Sequence, residues 1–107
     1  MKYKVRLVQS ALNDLYTINE YYLEQVNDQV ASKVLKQLQT MIQSLDTFPE
    51  RGTVPSELKP IGGQRYRQIL LDHYRLIYRI EDETVYLLMV IDGRRDVVTA
   101  LTRRIII

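Results

Sequence analysis

Residues 2–8 alternate basic and apolar, with Lys2, Lys4 and Arg6 set against Tyr3, Val5 and Leu7. A period of two predicts a half-buried β-strand. The apolar positions then change spacing. Leu12, Leu15, Ile18, Tyr22 and Val26 follow at steps of three or four, which predicts an amphipathic helix of about four turns. Ser10 is the expected N-cap, with Asp14 in the first turn favoured by the helix dipole. Asn27-Asp28 interrupts the stripe and is expected to cap a second helix. Its apolar stripe is Ala31, Val34, Leu35, Leu38, Met41, Ile42 and Leu45, with Lys33, Lys36, Gln37 and Gln43 on the opposite, solvated side. Thr47-Phe48-Pro49 ends it, because a residue before proline is pushed out of the helical region. So short a connection between two helices predicts an antiparallel hairpin.

Residues 49–64 hold all three prolines and three of the four glycines, and so form a loop. Three apolar runs follow. Residues 66–71 are the first strand, Asp72-His73 a turn, and residues 74–80 the second strand. Glu81-Asp82-Glu83 is an acidic turn, and residues 84–91 are the third strand. The last run is apolar at successive positions, so both its faces are covered and it belongs in the middle of the sheet. The first strand must then sit at an edge or beside this last one. Asp96 is the expected cap of a short C-terminal element with Val97, Val98 and Leu101 inward. Ile105-Ile106-Ile107 is expected as a final edge strand or as a sticky end that a partner covers. The reading is a single α+β domain over residues 1–107: N-terminal strand, α-helical hairpin, three-stranded antiparallel meander and a short C-terminal element.

Composition narrows the chemistry. The chain has no cysteine, so neither disulfides nor thiolate chemistry arise. Its one histidine, His73, cannot build a multi-histidine metal site, and no metal or cofactor is expected. No apolar run approaches the length of a membrane span, and the N-terminus lacks the apolar core of a secretory signal, so a cytoplasmic protein without membrane partners is expected. Charge is uneven. Residues 1–50 carry five basic against six acidic side chains, whereas residues 51–107 carry ten against seven, all arginine except Lys59. That asymmetry suits an anionic partner without demanding nucleic acid, whose direct binding would be secondary.

The arginines recur within or just after the strands: Arg65 and Arg67, Arg75 and Arg79, Arg94 and Arg95. Each offers a permanently charged planar fork suited to phosphate or carboxylate. The alternative is that they lie on a solvated face with their stems over apolar neighbours. A metal-free ribonuclease would need cations plus a general acid and base. The cations are present, but no acid–base pair stands out. His73 reads as a turn residue, and Gly62-Gly63 lacks the helix and lysine of a phosphate loop. Eight tyrosines against one phenylalanine favour half-wet surfaces, although Tyr66, Tyr74 and Tyr78 can equally fill the core.

Taken in order, Ser10-Ala11-Leu12-Asn13-Asp14-Leu15, Phe48-Pro49-Glu50-Arg51-Gly52, Tyr74-Arg75-Leu76-Ile77-Tyr78-Arg79 and Val90-Ile91-Asp92-Gly93-Arg94-Arg95-Asp96 resemble the RelE/ParE superfamily of bacterial toxins from type II toxin–antitoxin modules. The resemblance runs nearly end to end. Within it, RelE-like members cleave mRNA on the ribosome, whereas ParE-like members poison DNA gyrase and cleave nothing. The Pro-Glu-Arg-Gly loop and the double arginine after Gly93 are similar to the ParE branch. Asp92 stands where many relatives carry histidine, and the segment after it has neither His nor Tyr. The resemblance therefore implies a gyrase-inhibiting toxin with no catalytic residues, the alternative being a ribosome-dependent mRNA endonuclease. It implies a target surface of Arg67, Arg79, Arg94 and Arg95. It also implies a cognate, ParD-like antitoxin forming a hetero-oligomer, with an extended or helical segment along the apolar groove beside the hairpin at Leu12, Tyr16, Ile105 and Ile106.

Overall fold

The computed structural model describes residues 2–106, with side chains as far as residue 104. Strand β1 (Lys4–Leu7) leads into helices α1 (Gln9–Gln25) and α2 (Asp28–Gln43). Three short 3-10 turns then lead to β2 (Tyr66–Leu71), β3 (Tyr74–Glu81), β4 (Thr84–Asp92) and α3 (Val97–Ile106). The four strands form one sheet in the order β1-β4-β3-β2. Strand β1 thus meets both expectations at once: it is an edge strand and it lies beside β4, in parallel. The β2-β3-β4 meander is antiparallel. Its two-residue turns place Asp72 and Asp82 at φ 52 and 53, the left-handed region that tight hairpins require and aspartate tolerates.

The sheet is covered on both faces, which explains why β4 is apolar at every position from Val85 to Ile91. The helical hairpin buries Leu15, Leu38 and Ile42 against Leu76, Tyr78, Val85 and Leu87. On the other face, α3 and the turn Ser56–Ile61 bring Val97, Leu101 and Leu58 onto Ile77, Met89 and Ile91. The strict alternation of β4 breaks at Leu88. Tyr78 pairs with Leu87 and Ile77 with Met89, so Leu88 is an extra, bulged residue. Leu88 and Met89 therefore both join the cluster under α3.

Two helix-start assignments change. Helix α1 begins at Gln9 behind Val8, and no side chain caps it. Ser10 instead points at the Leu88 carbonyl, 3.5 Å away. Asp14 lies beyond the first turn and is used elsewhere: it accepts from the Val90 N–H at 2.9 Å and from Arg104 at 2.7 and 2.8 Å. The reason is tertiary. β1 ends at Leu7 opposite Leu87, leaving the next stretch of the β4 edge bare, and Ser10, Asp14 and Arg104 supply the partners it lacks. Asn27 caps α2 as expected, accepting from the Val30 N–H at 2.9 Å. Asp96 likewise caps α3 through Thr99. Val26 closes α1 and is exposed rather than part of the buried stripe. Residues 105 and 106 lie in the last turn of α3, which corrects the edge-strand expectation; residue 107 falls outside the described residues.

The loop after α2 is pinned from the sheet. The Tyr78 hydroxyl donates to the Pro49 carbonyl at 2.6 Å and accepts from the Gly52 N–H at 3.0 Å. A Cβ at Gly52 would collide with that tyrosine ring and with the Gln68 carbonyl, so glycine is needed there for close approach. Burial raises the Tyr78 phenol above its ordinary value, which keeps the donated proton in place.

Candidate functional site

A cleft of about 470 Å3 and another of about 440 Å3 flank α2, and a larger one, about 910 Å3, opens where the second half of α1 passes the end of β4. Tyr21 and Tyr22 form one wall, and His73, Tyr74, Asp92, Arg94 and Arg95 the other. The sheet register explains the grouping. Tyr74 pairs with Asp92, so the 72–73 turn and the loop after β4 lie at the same end of the sheet. The Gly93 N–H donates to the His73 carbonyl at 2.7 Å and locks the two together.

Within this cleft the aromatic groups form a chain. His73 and Tyr74 have ring centroids 4.2 Å apart, and the Tyr74 hydroxyl donates to that of Tyr22 at 3.3 Å. Tyr21 meets Tyr22 edge-on at 5.1 Å. Burial, with help from Tyr22, raises the Tyr74 phenol well above its ordinary value, so it stays protonated and keeps its hydroxyl proton to donate. Asp92 moves the other way. Arg94 donates to it from Nε, Nη2 and its own backbone N–H, at 3.0, 2.8 and 2.9 Å. These bonds hold the Asp92 carboxyl far below the usual carboxylate range. A carboxylate so stabilised is a weak proton acceptor. Arg95 makes no ion pair among the described residues and is exposed.

The four arginines expected as a target surface are thus divided. Arg94 and Arg95 stand together on the loop after β4. Arg67 lies opposite Tyr78, on the hairpin face of β2, and donates to the Glu50 and Gly52 carbonyls at 3.0 and 2.8 Å. It reinforces the pinned loop. Arg79 lies opposite Tyr66 and Tyr86, on the α3 face, with its guanidinium 5.2 Å from the centre of the Tyr86 ring and 3.5 Å from Glu81. Tyr66, Tyr74 and Tyr78 are all buried, as core-filling tyrosines would be. Arg75, which carried no assigned role, forms a two-pronged ion pair with Glu57 at 2.7 and 2.8 Å. Tyr21, Tyr22 and His73 join Arg94 and Arg95, a grouping available from the sequence only once the β3–β4 register is known.

On the hairpin, Leu12 and Tyr16 are one turn apart on α1 and 37% and 64% exposed. Leu23 and Val26 continue the exposed apolar side chains towards the end of that helix. No described helix is long and apolar enough to cross a membrane.

The family model described as the ParE toxin of type II toxin-antitoxin system, parDE, matches residues 5–97. No curated protein matches the chain. Among solved structures, the chromosomal ParDE toxin–antitoxin system of P. aeruginosa superposes with a TM-score of 0.70 at 17% identity, covering 83% of this chain and 94% of that one. The RelBE2 toxin–antitoxin complex of Mycobacterium tuberculosis gives 0.58 at 24% identity, covering 86% and 92%. Both share this fold. With the family pattern running from β1 to the start of α3, the chain belongs to the ParE toxin family of type II toxin–antitoxin systems.

Proposed function

We propose that the protein inhibits DNA gyrase from the cytoplasm and is neutralised by a cognate antitoxin. The observation that carries this reading is the pairing of Asp92 with Arg94 at the mouth of the cleft. Gyrase inhibition requires a binding surface, and Arg94 and Arg95 on a short loop provide exposed, permanently charged forks for it. RNA cleavage requires a group that takes the 2′-hydroxyl proton near neutral pH, and Asp92 and Tyr74 have both moved away from that range. The antitoxin would cover the exposed apolar stripe at Leu12 and Tyr16 and reach the end of α3 at Ile105 and Ile106. Arg67 and Arg79 would support the target surface from within the sheet.

A second reading, ribosome-dependent mRNA cleavage, is favoured by His73, which faces the same cleft as Arg94 and Arg95. One pair of assays separates the two. Purified protein should inhibit gyrase supercoiling and accumulate cleaved DNA, while transcripts mapped by primer extension after induction remain uncut. Discrete cuts at the ribosomal A site with supercoiling untouched would establish the second reading instead. In that case His73→Ala should abolish the cuts.

A further inference from the structure

One surface is charged in a way that neither reading uses. Along α2, Lys33, Lys36, Met41 and Ser44 face a groove of about 470 Å3, closed on the far side by Arg51 and Leu71. Met41 and Leu71 are half-buried and aliphatic. The Arg51 Nη2 donates to the Ser44 Oγ at 2.8 Å and lies 3.2 Å from the Met41 Sδ. Its place is therefore fixed by neutral atoms. Three cations line this groove and no carboxylate does. Lys33, Lys36 and Arg51 make no ion pair among the described residues, whereas Arg75, Arg94 and Arg104 each hold an acid. Uncompensated like charges around a low-dielectric floor raise the local potential and favour an anionic occupant.

The edge of β2 runs beside the groove. Thr53 and Gln68 exchange both backbone hydrogen bonds, at 2.8 and 3.1 Å, so Gln68 turns its N–H and C=O away from β3. Antiparallel pairing repeats every two residues, so Leu70 turns its own N–H and C=O the same way. Leu70 has no backbone partner on that side among the described residues, and the residue is 58% exposed. An extended chain can therefore pair at Leu70 and pass directly into the groove over Leu71.

We propose that this groove seats a segment of the antitoxin that carries carboxylates around an aliphatic anchor. The proposal rests on the reading that an antitoxin partners this chain. The anchor fills the space over Met41 and Leu71, and the carboxylates meet Lys33, Lys36 and Arg51. A protein segment fits better than nucleic acid, because the floor offers no aromatic face on which a base could stack. The charged rim sets the on-rate and the salt dependence of capture, and the aliphatic floor slows release.

The test is a titration of the full-length protein with the antitoxin encoded beside it, at low and high salt, for wild type and two charge-matched variants. Lys33→Glu/Lys36→Glu reverses the rim. Lys4→Glu/Lys59→Glu makes the same change at exposed positions on β1 and in the 56–61 turn. The rim variant should bind about tenfold to hundredfold more weakly and lose most of its salt dependence, while the control keeps wild-type affinity. Circular dichroism and urea unfolding check that both fold. Met41→Glu should weaken binding at high salt as well, where charge alone no longer contributes. A folded rim variant that binds as tightly as wild type overturns the proposal, as does an equal loss in the control. Displacement of the antitoxin by a short DNA duplex from wild type but not from the rim variant would assign the groove to nucleic acid. Absence of any binding by the wild type would instead sink the antitoxin reading, and this seat with it.

Discussion

Replacing Asp14 by alanine tests how the far half of β4 is held. The carboxylate does two jobs from one position on α1. It accepts the Val90 N–H, and it receives Arg104 Nη1 and Nη2, of which Nη1 also donates to the Leu88 carbonyl at 3.0 Å. The side chains of Arg104 and Asp14 are 28% and 16% exposed, so the pair is shielded but not sealed. Removing the acid leaves the Val90 N–H without its partner beneath a buried residue, at ~1–3 kcal/mol. It also strands the guanidinium, for which the ~3–5 kcal/mol of a fully buried pair must be discounted heavily for exposure. The expected total is ~2–3 kcal/mol. Arg104→Ala should cost less, ~1–2 kcal/mol, because Asp14 keeps the Val90 bond. The double variant should fall short of the sum by ~1 kcal/mol, the coupling of groups that share a bond. Urea unfolding with linear extrapolation measures all three, provided the transition stays two-state. In a domain of this size the Asp14 change should lower the Tm by roughly 10 °C. A cost below ~0.5 kcal/mol for Asp14→Ala, or strict additivity with Arg104→Ala, would refute the idea that the pair completes the sheet edge.

Leu38 is fully buried between the hairpin and the sheet, so Leu38→Ala should cost ~2–5 kcal/mol in the same assay, and a loss under ~0.5 kcal/mol would mean the α2 face packs differently. Tyr78→Phe deletes the hydroxyl that holds Pro49 and Gly52; it should cost ~1–3 kcal/mol and speed proteolysis in the 47–55 loop, whereas unchanged digestion there would show the loop is held otherwise. Arg75 holds Glu57 below its ordinary value of 4.5. This pair therefore contributes stability fully above that value and loses it as pH falls through the lower folded value. Wild type should show a steeper drop in urea midpoint between about pH 5 and 3 than Glu57→Gln, and parallel curves would exclude the pair as the cause. Arg94→Ala/Arg95→Ala should relieve growth inhibition while the thermal melt stays near wild type; persistent toxicity in a soluble variant would move the target surface elsewhere.

Periodicity carried the architecture well where each element had one buried face. The alternation in β1, the stripes of α1 and α2, and the doubly apolar β4 all correspond to real surfaces. Asp96 and Asn27 cap helices because capping is local chemistry that a few residues decide. Ser10 failed for the opposite reason: a tertiary demand from the bare edge of β4 outweighed the local preference. The strand arginines looked equivalent in sequence. Their difference arises from the pairing register, which puts Arg67 on one face of the sheet and Arg79 on the other, and from loops that no local pattern places. The cationic groove was invisible as well. Lys33, Lys36 and Gln37 read as a solvated face, and only the fold brings Arg51 and Leu71 opposite them.

The parallel pairing of β1 with β4 sets Lys4 beside Thr84 and Leu7 beside Leu87. Nearly the whole chain must therefore exist before its central strand acquires both neighbours. Closing so long a loop is entropically unfavourable until the contacts it brings together can form, and topologies dominated by such distant pairings fold slowly. The helical hairpin, whose contacts are local, can form early, but its apolar stripe then waits for the meander. During synthesis this leaves an interval in which the hairpin's inner face is uncovered and the arginine loop after β4 has not yet been made. A toxin of this family built in that order would have its central strand flanked on both sides only after its last third is translated.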